Sequence, residues 1–189
     1  MKKRLSMLML GSVLVSFTCI AQDSARALSK NAVYLELGGN GVFYSINYER
    51  IIFSQGKAHL SARVGYEFLP RSVFKAITSL SSNVLLAEVD VFCGRENSFF
   101  ETGLGIIYDT EELIKYTYSL EESSSAKKYH NTGYFYRIGY RYHAPSGFIF
   151  RAAATPFIVF EPRYEHGQWK RNGEIYFYPL AGFTFGYSF

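Results

Sequence analysis

From Ala32 onward, apolar and polar side chains alternate with a period of two, which predicts strands with two unlike faces. Ala32 to Gly38 sets Val33, Leu35 and Leu37 against Tyr34 and Glu36. Gly39-Asn40-Gly41 is a hairpin signal. Val42 to Phe53 then sets Val42, Tyr44, Ile46 and Tyr48 against Phe43, Ser45, Asn47 and Glu49. Ala58 to Leu69 places Leu60, Ala62, Val64, Tyr66 and Phe68 opposite His59, Ser61, Arg63, Gly65 and Glu67. Asn83 to Phe92 opposes Leu85, Ala87, Val89 and Val91 to Leu86, Glu88 and Asp90. Ser98 to Asp109, Thr132 to His143 and Phe148 to Val159 continue the pattern, with Glu101, Arg137, Arg141 and Arg151 on the polar parity. The last strand runs from Ile175 to the end and carries Phe183, Phe185, Tyr187 and Phe189 on one face. Eight strands are predicted.

Two architectures fit eight amphipathic strands: a soluble sandwich with a buried aromatic face, and a barrel whose aromatic face meets lipid. Three features favour the barrel. The strands have about the 9–11 residues that cross a bilayer, the first being the shortest. Connections after the second, fourth and sixth strands are short, and those after the third, fifth and seventh are long. That alternation is the pattern of tight periplasmic turns and long external loops, with the N-terminus inside. Finally, Glu36, Glu49, Arg63, Glu67, Glu88, Asp90, Glu101, Arg137, Arg141 and Arg151 share one parity, and the opposite face is almost wholly apolar. The fold class expected is all-β, an eight-stranded antiparallel up-and-down transmembrane barrel.

The N-terminal segment changes the charge balance. Lys2, Lys3 and Arg4 precede an apolar run from Leu5 to Phe17, and Cys19-Ile20-Ala21 has the small-x-small form of a cleavage site. Residues 1–21 are therefore expected to be a secretory signal peptide and 22–189 the barrel domain. Three of the 20 basic residues lie in that peptide, which leaves 17 basic against 16 acidic, so the net charge of +4 gives no argument for nucleic acid. Of the two cysteines only Cys93 would survive cleavage, excluding an intramolecular disulfide in the cut chain. With 16 Tyr and 17 Phe, aromatic residues reach 18%, which suits a bilayer-facing surface.

The interior of eight strands is only just wide enough for side chains. The ten inward charges are therefore expected to pair across the lumen, six acidic with four basic. A narrow pore is the alternative, because Gly65, Gly103, Gly105, Gly139, Gly182 and Gly186 thin the lumen. Enzymatic lipid modification is the other; it needs a nucleophile and base near the outer leaflet. His59 and His143 fall on the inward face near periplasmic ends, and His130 and His166 in external loops near Ser123, Ser124, Ser125 and Glu165. No spacing puts a base beside a lipid-facing serine, and four scattered histidines with one thiol make no metal set. No catalytic, cofactor or metal site is expected. Residues 113–120, LIKYTYSL, with Lys127, Lys128 and Tyr129, suggest a projecting hairpin around a polar tip at Glu121 to Ser125, a candidate surface for an extracellular protein. The loop from Glu161 to Gly173 holds Arg163, Lys170, Arg171 and Trp169, suited to anionic lipopolysaccharide, and SVFKAITSL (72–80) suggests a short helix.

The pattern resembles the small eight-stranded outer-membrane barrels of the OmpA/OmpX-like class. The opening NAVYLELGGNGVFYSINYERIIF (31–53) looks like strands of such proteins from the Bacteroidetes group. The resemblance covers the whole chain after the signal peptide. It implies a monomer in the outer membrane of a Gram-negative bacterium; it supplies no catalytic motif, and no peptidoglycan-binding domain is expected after the barrel here. It also implies that Phe183, Phe185, Tyr187 and Phe189 form a signal read by the barrel-assembly machinery.

Overall fold

The structure, a computed structural model, describes residues 28–41, 43–69, 80–114, 126–165 and 168–189. The expected signal peptide (1–21), the tip at 121–125, His166 and residues 72–79 of the suggested helix lie outside them. Ten strands form one antiparallel sheet: β1 (Asn31–Gly38), β2 (Tyr44–Gln55), β3 (Ala58–Leu69), β4 (Leu80–Arg95), β5 (Ser98–Ile114), β6 (Ala126–His143), β7 (Phe148–Ala154), β8 (Phe157–Glu165), β9 (Gln168–Tyr178) and β10 (Ala181–Ser188). The sheet closes because the strand order running from β5 through β1 and β10 to β6 is joined by the β5–β6 pairing, while β9 ends the order paired with β8. Eight staves make the wall, β8 continuing β7 and β9 leading into β10.

The two extra strands correct the expected seventh and eighth. Thr155-Pro156 interrupts one stave and Pro179-Leu180 the other, since proline cannot donate to a ladder. The breaks lie side by side: Thr155 N–H donates to Leu180 O at 2.7 Å, and Tyr136 N–H to Pro156 O at 3.0 Å. Beyond them β8 and β9 form a hairpin where a loop from Glu161 to Gly173 was expected. The fifth and sixth strands pair beyond Asp109 and Thr132 as far as Ile114 with Ala126, in line with the projecting hairpin expected there, whose tip lies outside the described residues. Hydrogen bonding between these strands continues where the alternating pattern stops.

The register fixes the size of the barrel. Followed square to the strands from Val33, the pairs run through Tyr48, Val64, Ala87, Ile106, Tyr134, Ile158 and Phe177. Val33 itself pairs with Tyr187, so the circuit closes with a stagger of ten residues. With a rise of about 3.3 Å and a strand spacing of about 4.8 Å, that stagger tilts the strands by about 40° and gives a radius near ~8 Å. Such a cylinder holds side chains and little else.

The first connection folds inward. Gly39–Gly41 form a buried 3-10 turn, with Gly38 and Gly39 at φ of 71° and 67°. A Cβ on Gly39 would stand 2.8 Å from Glu36 Oε1, so the turn can close over the lumen only without side chains there.

Candidate functional site: the packed lumen and the belted outer face

The parity read from the sequence sends Glu36, Glu49, Arg63, Glu67, Glu88, Asp90, Glu101, Arg137, Arg141 and Arg151 inward, each at most 3% exposed. Eight of them assemble into two rings. In the outer ring, Arg63 and Arg137 each bridge Glu36 and Glu88. Arg63 Nη1 lies 2.6 Å from Glu88 Oε2 while Nη2 bonds Glu36 Oε2; Arg137 Nη2 and Nε stand 2.7 Å from Glu36 Oε1 and Glu88 Oε1. In the inner ring, Arg141 and Arg151 each bridge Glu49 and Glu101, at 2.5 and 2.8 Å for Arg141 and 3.0 and 2.8 Å for Arg151. Neutral side chains complete the valences: Arg63 Nε donates to Asn47 Oδ1 at 3.0 Å. Tyr34 donates to Glu49 Oε2 at 2.9 Å and accepts from Arg151 Nη1 at 2.6 Å.

The remaining two residues stand apart. Asp90 Oδ2 is 3.4 Å from Arg151 and 4.0 Å from Arg141, and its Oδ1 is unpartnered. Glu67 contacts no guanidinium among the described residues and lies beside the Gly39–Gly41 turn. Four of the glycines that thin the lumen are covered by neighbouring side chains. Asn47 covers Gly65, Asp90 covers Gly103, Phe135 covers Gly105 and Tyr34 covers Gly186.

Apolar clusters close the stack at both ends. Val84, Leu86, Ile107 and Phe135, with Phe157, fill the end nearer the long connections. Ile51, Phe92 and Phe99, with Leu28, fill the end of the short turns. There His59 stacks on Phe92 at 4.9 Å and His143 at 6.0 Å, Phe99 meets both imidazoles edge-on at 5.7 Å, and the Arg141 guanidinium lies 4.1 Å over Phe92. The two inward histidines are thus parts of an aromatic plug. His59 also bonds Ser54 Oγ at 2.9 Å through Nδ1.

The outward parity is apolar: Ile46, Val64, Leu85, Leu104 and Phe183 are each more than half exposed. Two belts of aromatics frame it. At the short-turn end stand Tyr48, Phe100, Tyr140, Phe148 and Tyr187, with Tyr48 Oη donating to Asn31 Oδ1 at 2.8 Å and Tyr140 bonded to Ser98 Oγ at 2.9 Å. At the other end Tyr44 donates to Phe68 O at 2.6 Å, Tyr66 to Asn83 Oδ1 at 2.7 Å, and Tyr108 meets His130 Nδ1 at 3.0 Å. Hydroxyls bonded at the rim and rings set toward the apolar band are the arrangement of a bilayer interface. His130 lies on β6, correcting its expected place in a loop, and Thr110 Oγ1 approaches the same nitrogen at 3.2 Å. These tyrosine partnerships were missed in the sequence, where no local signal marks residues 17 or 42 positions apart as neighbours.

Phe183, Phe185 and Tyr187 face outward, paired with Leu37, Leu35 and Val33 of β1 and with Ala152, Phe150 and Phe148 of β7. The final residue is held by the first stave: Phe189 N–H donates to Asn31 O at 2.9 Å, and Asn31 N–H to Phe189 O at 3.2 Å. No group of three or more His, Cys, Asp or Glu among the described residues could hold a metal ion.

A closed eight-stranded antiparallel barrel with an ionic interior and an apolar exterior is the class that this geometry defines. The same fold occurs in a major outer membrane protein from Thermus thermophilus, 11% identical, with a TM-score of 0.52 over 86% of this chain and 100% of that one. Matches with lower scores are the N-terminal β-barrel domain of Pseudomonas aeruginosa OprF (13% identical, TM-score 0.42, 85% of this chain and 99% of that one) and Yersinia pestis Ail in complex with the heparin analogue sucrose octasulfate (10%, 0.45, 85% and 97%). No protein-family model and no curated protein sequence matches the chain.

Proposed function

We propose that this protein is an integral barrel of a Gram-negative outer membrane, acting as a structural element and through its external hairpins as an interaction surface, without enzymatic activity. One observation carries the reading: the apolar face points away from the barrel axis and the charged face toward it. A soluble protein has the reverse need, whereas lipid demands this arrangement. The short-turn end then faces the periplasm, and Phe183, Phe185, Tyr187 and Phe189 serve the assembly machinery. The two rings and two plugs close the lumen to ions. The hairpins β5–β6 and β8–β9 extend outward and offer the surface for an extracellular protein partner or lipopolysaccharide.

Refolding of the purified chain, followed by a gel comparing unheated with boiled samples, tests the membrane reading. Insertion into liposomes with a heat-dependent mobility shift is expected; a protein that stays soluble and monodisperse without detergent would refute it. Planar-bilayer recording tests the closed lumen. Large, steady single-channel steps would restore the pore alternative.

A further inference from the structure

One charge interrupts the outward face. Arg50 lies on β2 with the parity of Tyr44, Ile46 and Tyr48, and its side chain is exposed. It is the only charged residue on that face within or between the two belts, among the described residues, and none of the ion pairs there includes it. A guanidinium facing hydrocarbon is costly at the bilayer centre and nearly free of cost at the interface. Arg50 stands at the interface: two positions from Tyr48 toward the short turns, square across from Asn31, the first residue of β1.

Its surroundings suit a lipid headgroup. Asn31 and Ala62 flank Arg50 in register, and side chains directly opposed on one face have Cβ atoms about 5 Å apart. Asn31 Oδ1 is occupied by the Tyr48 hydroxyl at 2.8 Å, so the carboxamide turns its N–H donors to other acceptors. Ala62 is too small to cover the guanidinium. The register shift between Ile51 and Phe53 leaves Ile52 and Phe53 both exposed, 61% and 56%, on the side toward the turn. Donors are thus grouped beside exposed apolar side chains. Phosphate matches both donor types, because guanidinium forks onto two of its oxygens and an amide can add a third bond.

We propose that Arg50 and Asn31 bind the phosphodiester headgroup of a phospholipid in the leaflet at the short-turn end, with an acyl chain running toward the bilayer centre against Tyr48 and Ile46. This rests on the membrane-barrel reading, in which that leaflet is the periplasmic one.

Native mass spectrometry of the refolded barrel in detergent tests it, with dimyristoylphosphatidylglycerol as probe and dimyristoylglycerol, which lacks the phosphate, as control. The gel shift reports folding of every variant first, so failure of the barrel itself appears separately. One phosphatidylglycerol is expected to stay bound, and Arg50→Gln to weaken it by about tenfold. Arg50→Lys, a point charge without the fork, should fall between, and it keeps the test open if the glutamine variant fails to fold. Asn31→Ala should lose a few-fold, and Lys30→Gln, at the same end and exposed, should change nothing. Equal weakening by Lys30→Gln and Arg50→Gln would reduce the effect to diffuse charge and overturn the site. So would equal retention of dimyristoylglycerol, or unchanged phosphatidylglycerol binding in folded Arg50→Gln.

Discussion

Replacing Arg137 with methionine removes one of the two cations of the outer ring. Glu36 and Glu88 each lose a contact of 2.7 Å and must share Arg63 alone. All four groups are buried, so the lost cation leaves a carboxylate that water cannot reach. Breaking a buried pair from one side costs roughly 3–5 kcal/mol. With a urea dependence of about 2 kcal/mol per molar, the unfolding midpoint should fall by roughly 1.5–2.5 M. The internal control is Asp90→Asn, which removes a carboxylate whose nearest guanidinium is 3.4 Å away and whose Oδ1 is already unpartnered. It should cost less than about 1 kcal/mol, because no close charge pair is broken and the two rings stay whole. Urea titration in detergent micelles, read by far-ultraviolet circular dichroism and by gel mobility, measures both. Adding Glu88→Leu to Arg137→Met should recover part of the loss, giving a coupling of about 1 kcal/mol or more. If Arg137→Met and Asp90→Asn each cost under about 1 kcal/mol, the lumen charges are solvated and the packed-lumen reasoning fails.

Three further outcomes follow from the same geometry. Deleting Phe189, or replacing it with Asp, should cut outer-membrane yield sharply in cells while refolding into detergent suffers much less; normal accumulation would show that the end is not an assembly signal. In a chain with Cys93 replaced, cysteine at Ser124 should react with an impermeant maleimide on intact cells, and cysteine at Gln55 only after the membrane is opened, with the reverse pattern inverting the orientation. Gly39→Val should destabilise the barrel by about 1–3 kcal/mol in the same urea assay, since it combines a φ of 67° with a Cβ 2.8 Å from Glu36 Oε1; an unchanged midpoint would mean that the inward turn is dispensable.

The alternation of residue types determined most of the wall by itself. A period of two divides side chains between two environments, so inward Glu36 and Arg137 and outward Leu35 and Ile138 were legible from parity alone. Where lipid no longer enforces that division, the sequence lost its grip. The hairpin β8–β9 and the paired breaks at Pro156 and Pro179 are set by hydrogen bonding between strands, which leaves no periodic trace, while the extension of β5 and β6 showed only as strand-like composition around 113–120 and 127–129. Parity also says which charges share the lumen without saying which ones meet. Arg137 and Glu36 are 101 positions apart, and only the ten-residue stagger of the closed barrel brings them to one level. The sorting of eight charges into two rings, with Asp90 at the margin and Glu67 beside the Gly39–Gly41 turn, follows from that stagger and from the reach of each side chain. The outward Arg50 was not singled out from the sequence, and its place beside Asn31 at the edge of the belt came from the register of β1 on β2.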